Sequence, residues 1–163
     1  MKIECLSEVD WQRLKRIRLA ALQDAPEAFG TTLAAAQGWP DDVWCQQARD
    51  IPTFVATDGG VDVGIARCAT EGSTEDAYLI SMWVAPVARG RGVGEQLVEA
   101  VSEWALAAGF SRLLLDVADD NTAAMALYKR LSFRPTGETS RFPPPRSQIT
   151  EHQQARMLRA ESK

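Results

Sequence analysis

The hydrophobic and polar positions of the chain alternate between helical and strand periods. Apolar residues recur at helical spacing over residues 11–22 and over 93–108, after which Gly109 is well suited to end the helix. Mostly apolar runs at 77–84 and 112–117 are typical of strands that are covered on both faces of a sheet. The pattern therefore predicts a buried sheet with helices packed on its faces.

Weaker signals complete the order of elements. A capping-box-like start at Ser7 opens the first helix, and Asn121 precedes a helix over 122–131. Residues 27–50 are predicted to form a broken helical region, with a cap at Asp41 or Asp42. Turn residues and alternating patterns then predict a hairpin that pairs 53–57 with 61–70, a strand that begins at Phe133 and a final strand over 152–158. The order β-α-α-β-β-β-α-β-α-β-β predicts an α/β protein with a mixed sheet and about four helices.

Length and charge limit the class of protein. The chain has 163 residues, which favours one domain over residues 1–163. Its net charge of -4 and its pI of about 5.1 argue against nucleic acid or an anionic membrane as the main partner. No apolar run approaches the roughly 20 residues that span a bilayer, and residues 1–5 are too polar for a signal peptide. We therefore expect a cytoplasmic protein with neither nucleic-acid nor membrane partners.

Residues that commonly hold metals or act as nucleophiles are few. The three cysteines, Cys5, Cys45 and Cys68, lie far apart and are odd in number, so neither a zinc site nor a disulfide framework is expected. His152 is the only histidine, which excludes a histidine cluster, and no GxSxG motif is present. We expect no metal cofactor and no acyl-enzyme intermediate on a cysteine.

A glycine-rich loop within residues 84–94 points to phosphate chemistry. A buried strand leads into the loop and a long helix follows it, so several backbone N–H groups point outward at the positive end of a helix dipole. Arg89 and Arg91 can add charge-assisted hydrogen bonds to a phosphate or pyrophosphate. The Walker A lysine is absent, and Glu95 stands where a dinucleotide-binding loop needs its third glycine. The pattern that remains is Arg-x-x-Gly-x-Gly, formed by Arg89, Gly92 and Gly94.

Two motifs occur in a characteristic order along the chain. The first is the strand and loop from Met82 to Gly94, and the second is the run Asn121-Thr122-Ala123-Ala124-Met125-Ala126-Leu127-Tyr128, followed by Phe133. Together they resemble the GNAT superfamily of acetyl-coenzyme A-dependent N-acetyltransferases, over residues 78–133. The resemblance implies the acyl-CoA N-acyltransferase fold, with a mostly antiparallel central sheet in which strands four and five splay apart. Ser132 departs from the pattern because the family usually has glycine there, and a left-handed serine costs ~1 kcal/mol.

The resemblance also implies roles for the matching residues. The strand backbone from Met82 to Val84 would hydrogen-bond the pantetheine arm, and the N–H of Met82 would polarise the thioester carbonyl. Tyr128 would donate a hydrogen bond to the departing thiolate, and Asn121 has a second interpretation as the cap of its helix. The residues implied to contact the cosubstrate acetyl-CoA are Met82, Trp83, Val84, Arg89, Gly90, Arg91, Gly92, Val93, Gly94, Asn121, Ala124 and Tyr128.

The implied reaction is the transfer of an acetyl group from acetyl-CoA to a primary amine of a small molecule, by direct attack in a ternary complex. Two alternatives stay open: a protein or peptide N-acetyltransferase, and a non-catalytic coenzyme A-binding sensor. The oligomeric state stays open between a monomer and a homodimer.

The acceptor side has weaker sequence signals. The aromatic residues that could line it are Phe29, Trp39, Trp44 and Trp83, although core packing explains large aromatic residues equally well. The candidates for the base that removes the amine proton are Glu75, Asp76, Asp116 and His152, with a chain of water molecules as the alternative.

Overall fold

A computed structural model of the chain describes residues 1–70, 72 and 74–158. Within this part of the chain, seven strands form one sheet: β1 (Lys2–Cys5), β2 (Thr53–Asp58), β3 (Val61–Ala69), β4 (Asp76–Val84), β5 (Arg112–Ala118), β6 (Arg134–Arg141) and β7 (Thr150–Met157). The described part of the chain also contains five α-helices: α1 (Trp11–Asp24), α2 (Leu33–Gln37), α3 (Asp41–Asp50), α4 (Val93–Ala107) and α5 (Thr122–Arg130). Single 3-10 turns occupy Glu8–Asp10, Pro26–Ala28 and Pro86–Ala88.

The strand order across the sheet is β1-β2-β3-β4-β5-β7-β6. Neighbouring strands run antiparallel except β4 and β5, which run parallel. This arrangement confirms the predicted mixed, mostly antiparallel sheet. The predicted order of elements is also confirmed, with the broken helical region resolved into α2 and α3 because Gly38, Trp39 and Pro40 interrupt it.

Helices cover both faces of the sheet. On one face, α4 packs its apolar residues Val93, Leu97 and Val101 in the same cluster as Leu113 and Leu115 of β5. On the other face, the helices α1 to α3 bury a second cluster, which includes Leu14, Leu22, Trp44, Val55 and Ile65. Since both faces are buried, the central strands read as nearly continuous apolar runs, which explains why these strands were predictable from local pattern.

The pairing of β4 with β5 is short. It begins at Asp76 opposite Arg112 and ends at Tyr78 opposite Leu114, although both strands continue beyond that point. The expected separation of strands four and five is therefore confirmed. Because no hydrogen-bonded partner strand fills the gap, the backbone of each strand is open to a ligand there.

A β-bulge interrupts β4 where it faces the gap. Ile80 lies opposite Arg67 and Trp83 lies opposite Ile65, so two residues of β4, Ser81 and Met82, oppose a single residue of β3. Ser81 has a left-handed backbone with a φ of 57°. The bulge lets β4 bend away from β5 while it stays paired with β3.

The predicted cap at Asp41 or Asp42 is wrong. Helix α3 begins at Asp41, and Pro40 occupies the N-cap position with an extended backbone. Proline lacks an N–H and pre-orders the entry to the helix, while Asp41 and Asp42 lie in the first turn, where their charges favour the helix dipole. Before α1, the carboxylate of Asp10 accepts the N–H of Ser7 at 2.9 Å, and Asn121 caps α5, which was one of its two interpretations.

Ser132 ends α5 in a left-handed conformation, with a φ of 72°. Its N–H donates to the carbonyl of Lys129 at 3.1 Å, and the N–H of Phe133 donates to the carbonyl of Tyr128 at 2.9 Å. These two bonds are those of a Schellman motif, in which glycine is the usual residue at the left-handed position. The motif fixes the last turn of α5, which carries Tyr128.

Replacing Ser132 with glycine is expected to stabilise the fold by about 0.5–1 kcal/mol. Relief of the left-handed backbone stabilises the folded state by roughly 1–2 kcal/mol, while the greater freedom of glycine in the unfolded chain offsets about 0.5–1 kcal/mol of this. Urea denaturation of the wild type and of the Ser132→Gly and Ser132→Ala variants measures the difference. A glycine variant no more stable than the alanine variant contradicts the expectation.

Candidate active site

A cavity of about 1280 Å³ extends from α1 across the gap between β4 and β5 to α5. Its lining includes residues of strand β4, of the glycine-rich loop before α4 and of the first turn of α5. The volume exceeds that of an ordinary single-ligand pocket, which is about 300–1,000 Å³. The cavity therefore has room for a large cosubstrate beside a small acceptor.

The glycine-rich loop forms one wall of the cavity, at the N-terminus of α4. Gly90 and Gly92 have left-handed φ angles of 78° and 80°, and Gly92 is the N-cap of the helix. Gly94 has a different role, since a Cβ there would lie 3.1 Å from Leu127 and from Met82. The first two glycines shape the loop, while the third allows α4 to lie close to α5 and β4.

The two arginines of the loop already have partners in the protein. Arg89 donates from Nη2 to Oδ2 of Asp24 at 2.6 Å and from Nε to the carbonyl of Val84 at 3.0 Å. Arg91 donates to Oδ2 of Asp58 at 3.0 Å and lies outside the cavity lining. Phosphate binding in this loop would therefore depend first on backbone N–H groups, with Arg89 close by.

The carboxylate of Asp24 joins three elements around the cavity. Its Oδ2 accepts the indole N–H of Trp83 at 3.0 Å and the guanidinium of Arg89. These two bonds, with that of Trp83 as the stronger cause, hold the pKa of Asp24 below its ordinary value. The bonds tie α1 to β4 and to the glycine-rich loop.

The backbone of β4 presents Met82 to the gap. The N–H of Ala85 donates to Val63 on the β3 side at 2.8 Å, whereas the carbonyl of Val84 accepts from Arg89. Successive residues of a regular strand direct their backbone groups to opposite sides, so Val84 faces away from β3. Met82 belongs to the bulge and lines the cavity, where we expect its N–H to face the space that β5 has left.

Tyr128 lies on α5, on the wall of the cavity behind the gap. Its side chain is 6% exposed, and its ring meets that of Phe133 edge-on at 5.6 Å between centroids. Burial raises the pKa of the phenol above its ordinary value, because the charged phenolate would be desolvated. The phenol therefore stays neutral and can act only as a hydrogen-bond donor or acceptor.

Asn121 and Ala124 both line the cavity, in the first turn of α5. The side-chain oxygen of Asn121 accepts the N–H of Ala124 at 3.2 Å. The structure therefore uses Asn121 as a helix cap, which was one of its two interpretations.

Two carboxylates line the cavity on the β5 side of the gap. Asp116 belongs to β5, and Glu151 of β7 lies opposite Ala118, so Asp116 and Glu151 share one face of the sheet. Burial raises the pKa of Asp116, and burial together with the charge of Asp116 raises the pKa of Glu151. Both side chains line the cavity, where a carboxyl group of raised pKa is suited to exchange protons with an amine.

The other three base candidates lie outside the cavity lining. Asp76 binds Arg112 through both carboxylate oxygens, at 2.8 and 3.0 Å, and this contact lowers the pKa of Asp76. His152 is paired with Asp119. Glu75 accepts backbone N–H groups of the turn before β5 through its carbonyl. Only Asp116 among the four reaches the cavity.

Three of the four predicted acceptor-side aromatic residues line the cavity: Phe29, Trp39 and Trp83. Trp44 does not, because it is 0% exposed and packs in the core beneath α1, with its ring 5.1 Å from that of Trp39. For Trp44 the alternative interpretation, core packing, describes the structure.

The charged residues of the cavity that sequence reasoning missed include Arg18, Arg67 and Glu151. Glu151 had no local signal, because its place depends on the register of β7 against β5. Arg18 did have a signal, since it falls at helical spacing among the apolar residues of α1, where a charge is out of place.

Comparisons with known proteins agree with this geometry. Residues 14–133 match the model of the Acetyltransferase (GNAT) family. The chain therefore belongs to the GNAT family of acetyltransferases, a class of enzymes. Among the described residues, none group into a metal-binding cluster of three or more His, Cys, Asp or Glu side chains, and none of their helices has the length and apolar character needed to span a bilayer.

Particular relatives lie within the same family. The chain is 35% identical over 97 residues to the IAA acetyltransferase of Azospirillum brasilense. The matched region covers 58% of this chain and 62% of that protein, which is less than two thirds of the relative's length. It is 29% identical over 112 residues to the aminoglycoside N(6')-acetyltransferase type 1 of Salmonella typhimurium, covering 61% of this chain and 77% of that protein. The structure of yncA from Salmonella typhimurium, solved with its cofactor acetyl-CoA, superposes with a TM-score of 0.79 at 18% identity, over 100% of this chain and 96% of that one. The last similarity is one of fold.

Proposed function

We propose that this protein transfers an acetyl group from acetyl-CoA to the primary amine of a small molecule, as a single domain. The observation that carries the proposal is the gap between β4 and β5, which opens directly beside the glycine-rich loop. Relatives named as aminoglycoside and mycothiol acetyltransferases support a small acceptor. The three free cysteines suit the reducing cytoplasm, where we expect the enzyme to act.

The residues present fit the cosubstrate. The loop around Gly90 and Gly92 leaves open space where a Cβ would stand, so a pyrophosphate can approach its backbone N–H groups. The pantetheine arm of acetyl-CoA would lie along β4 beside the gap, where it would hydrogen-bond the backbone groups of Met82 and Val84. Acetyl-CoA supplies the activated acetyl group as a thioester.

The proposed mechanism is direct transfer in a ternary complex. The amine nitrogen forms a bond to the acetyl carbon, the carbon–sulfur bond breaks, and the sulfur leaves with the bonding electrons. Asp116, beside Glu151, accepts the proton that the amine loses. The N–H of Met82 stabilises the negative charge that develops on the carbonyl oxygen, and Tyr128 donates a hydrogen bond to the departing sulfur.

Titration calorimetry with acetyl-CoA and coenzyme A, together with thiol release across a panel of amines and peptides, tests this proposal. We expect binding of both coenzyme forms and turnover on small amines. The Gly92→Ala variant should bind the coenzyme at least about tenfold more weakly, since a Cβ strains a left-handed residue and crowds the phosphate. Gly59→Ala is the matched control, because Gly59 is also left-handed but lies in the hairpin turn between β2 and β3.

Each other outcome has a distinct meaning. Absence of heat with either coenzyme form overturns the proposal. Tight coenzyme binding without turnover on any amine or peptide favours a coenzyme A sensor. Turnover on peptides alone favours a peptide acetyltransferase.

A further inference from the structure

The acceptor side of the cavity contains a buried arginine without a counter-ion. Arg18, on α1, is 4% exposed, and its Nε and Nη1 atoms are buried without a hydrogen-bond partner. Its guanidinium lies over the ring of Phe29, 5.4 Å from the centroid. Within the described part of the chain it forms no ion pair, yet it lines the cavity.

A second buried arginine lies beside it. Arg67, on β3, is 3% exposed, and its hydrogen bonds go to neutral groups: to Oε1 of Gln47 at 3.1 Å and to Oγ1 of Thr53 at 3.4 Å. Burial lowers the pKa of Arg18 to about 10, while burial and then the charge of Arg18 lower that of Arg67 to about 9. Both therefore remain mostly protonated at neutral pH, as two like charges in one apolar region.

An unpaired buried charge is strongly unfavourable, and a second like charge beside it adds to the cost. Asp24, a carboxylate of the same cavity, is already bound to Trp83 and Arg89. Glu27, which also lines the cavity, is exposed, and within the described part of the chain it forms no ion pair with Arg18 or Arg67. An anion brought by the substrate is the partner that this end of the cavity lacks.

The two ends of the acceptor side carry opposite charges. Arg67 lies on β3 and Asp116 on β5, which flank β4, so their strands are at least roughly 10 Å apart at the usual strand spacing. Asp116 and Glu151 form the acidic end, and Arg18 and Arg67 form the basic end. A molecule that carries both an ammonium and a carboxylate group matches this polarity.

We propose that the acceptor is an amino carboxylate, whose carboxylate binds Arg18 beside Arg67 while its amine faces Asp116. This inference rests on the proposed acetyltransferase function and names the substrate class of the same site. Arg18 is the principal contact because its Nε and Nη1 lack partners, whereas Arg67 is held by Gln47 and Thr53.

Matched pairs of amines test the inference. The pairs are L-leucine with 3-methylbutylamine, L-phenylalanine with 2-phenylethylamine, and 4-aminobutyrate with propylamine, so each differs by the carboxylate. We expect kcat/KM to favour the carboxylate member of the preferred pair by at least about tenfold, the effect of one charge-assisted hydrogen bond. The Arg18→Met variant should lose this preference while its affinity for coenzyme A is unchanged.

Arg16→Met is the matched control, since Arg16 is exposed on the same helix and lies outside this cavity. It should keep the preference for the carboxylate. Acetylation of the descarboxy amines as fast as their partners, or an unchanged preference in Arg18→Met, overturns the inference while the acetyltransferase function stands.

A thermal-shift measurement separates the inference from the reaction. N-acetyl-L-leucine and N-acetyl-L-phenylalanine should raise the Tm of the wild type and of Arg16→Met, but not that of Arg18→Met. If no amine is acetylated, the proposed function fails, and this measurement alone decides whether the arginines bind a carboxylate. Equal shifts in all three proteins, or none in any, overturn the inference.

Discussion

Replacing Tyr128 with phenylalanine is expected to lower kcat at least tenfold with little change in coenzyme affinity. The substitution removes one hydroxyl from a buried side chain and leaves the ring contact with Phe133 in place. A hydrogen bond to the sulfur matters most when negative charge develops there, so its loss raises the barrier more than it weakens binding. Because burial raises the pKa of the phenol, full proton transfer is unfavourable, and the hydrogen bond itself carries the effect.

Single-turnover kinetics with saturating acceptor, alongside calorimetry with coenzyme A, measure the two quantities separately. Tyr78→Phe is the comparison variant, because Tyr78 is the other tyrosine of the chain and also lines the cavity, but at the end of the segment where β4 is paired with β5. An unchanged kcat in Tyr128→Phe removes the assignment, as does a larger loss in the Tyr78 variant.

The Asp116→Asn variant is expected to lose about 100-fold in kcat/KM at neutral pH, the low end of the range for general base catalysis. The base acts as a carboxylate, so activity should rise with pH through the raised pKa of Asp116. In the asparagine variant this rise of kcat/KM on the acidic side of the pH profile, its acidic limb, should disappear, because the amide does not titrate. A pH profile of kcat/KM from pH 5 to 9 measures both effects.

Glu151→Gln is the comparison variant for this experiment. Burial and the charge of Asp116 raise the pKa of Glu151, so the two carboxylates act on each other between the paired strands β5 and β7. We expect Glu151→Gln to keep most of the activity and its acidic limb. A larger loss in Glu151→Gln than in Asp116→Asn would transfer the role of base to Glu151.

Most of the fold was predictable because its elements have strong local patterns. The buried strands β4 and β5 are nearly continuous apolar runs, and α4 has a regular apolar face ended by Gly109. The cap of α3 was not predictable in the same way, since an acidic pair after a proline fits either the cap or the first turn.

The candidate site was predictable only where its residues are close in sequence. The glycine-rich loop and the α5 motif each form one local element, so their placement on the cavity wall follows from their spacing. Other features of the site depend on contacts between segments that are distant in sequence. They are the partner of Arg89 on α1, the register that brings Glu151 near Asp116, and the burial of Arg67 against α3. Arg18 alone had a local signal, as a charged residue at a buried position of an amphipathic helix.

The bulge at Ser81 and Met82 leaves main-chain groups of β4 beside the gap, and this affects how the substrate preference of such an enzyme can change through substitutions. Main-chain groups do not change when a side chain is replaced, so the proposed binding of the cosubstrate by the backbone of β4 and of the loop would tolerate extensive change in sequence. The opposite wall is built from side chains such as Arg18 and Asp116, each of which a single codon can alter. If the proposal holds, substitutions could change the acceptor that such an enzyme uses while the binding of acetyl-CoA stays the same, because different parts of one cavity would bind the two.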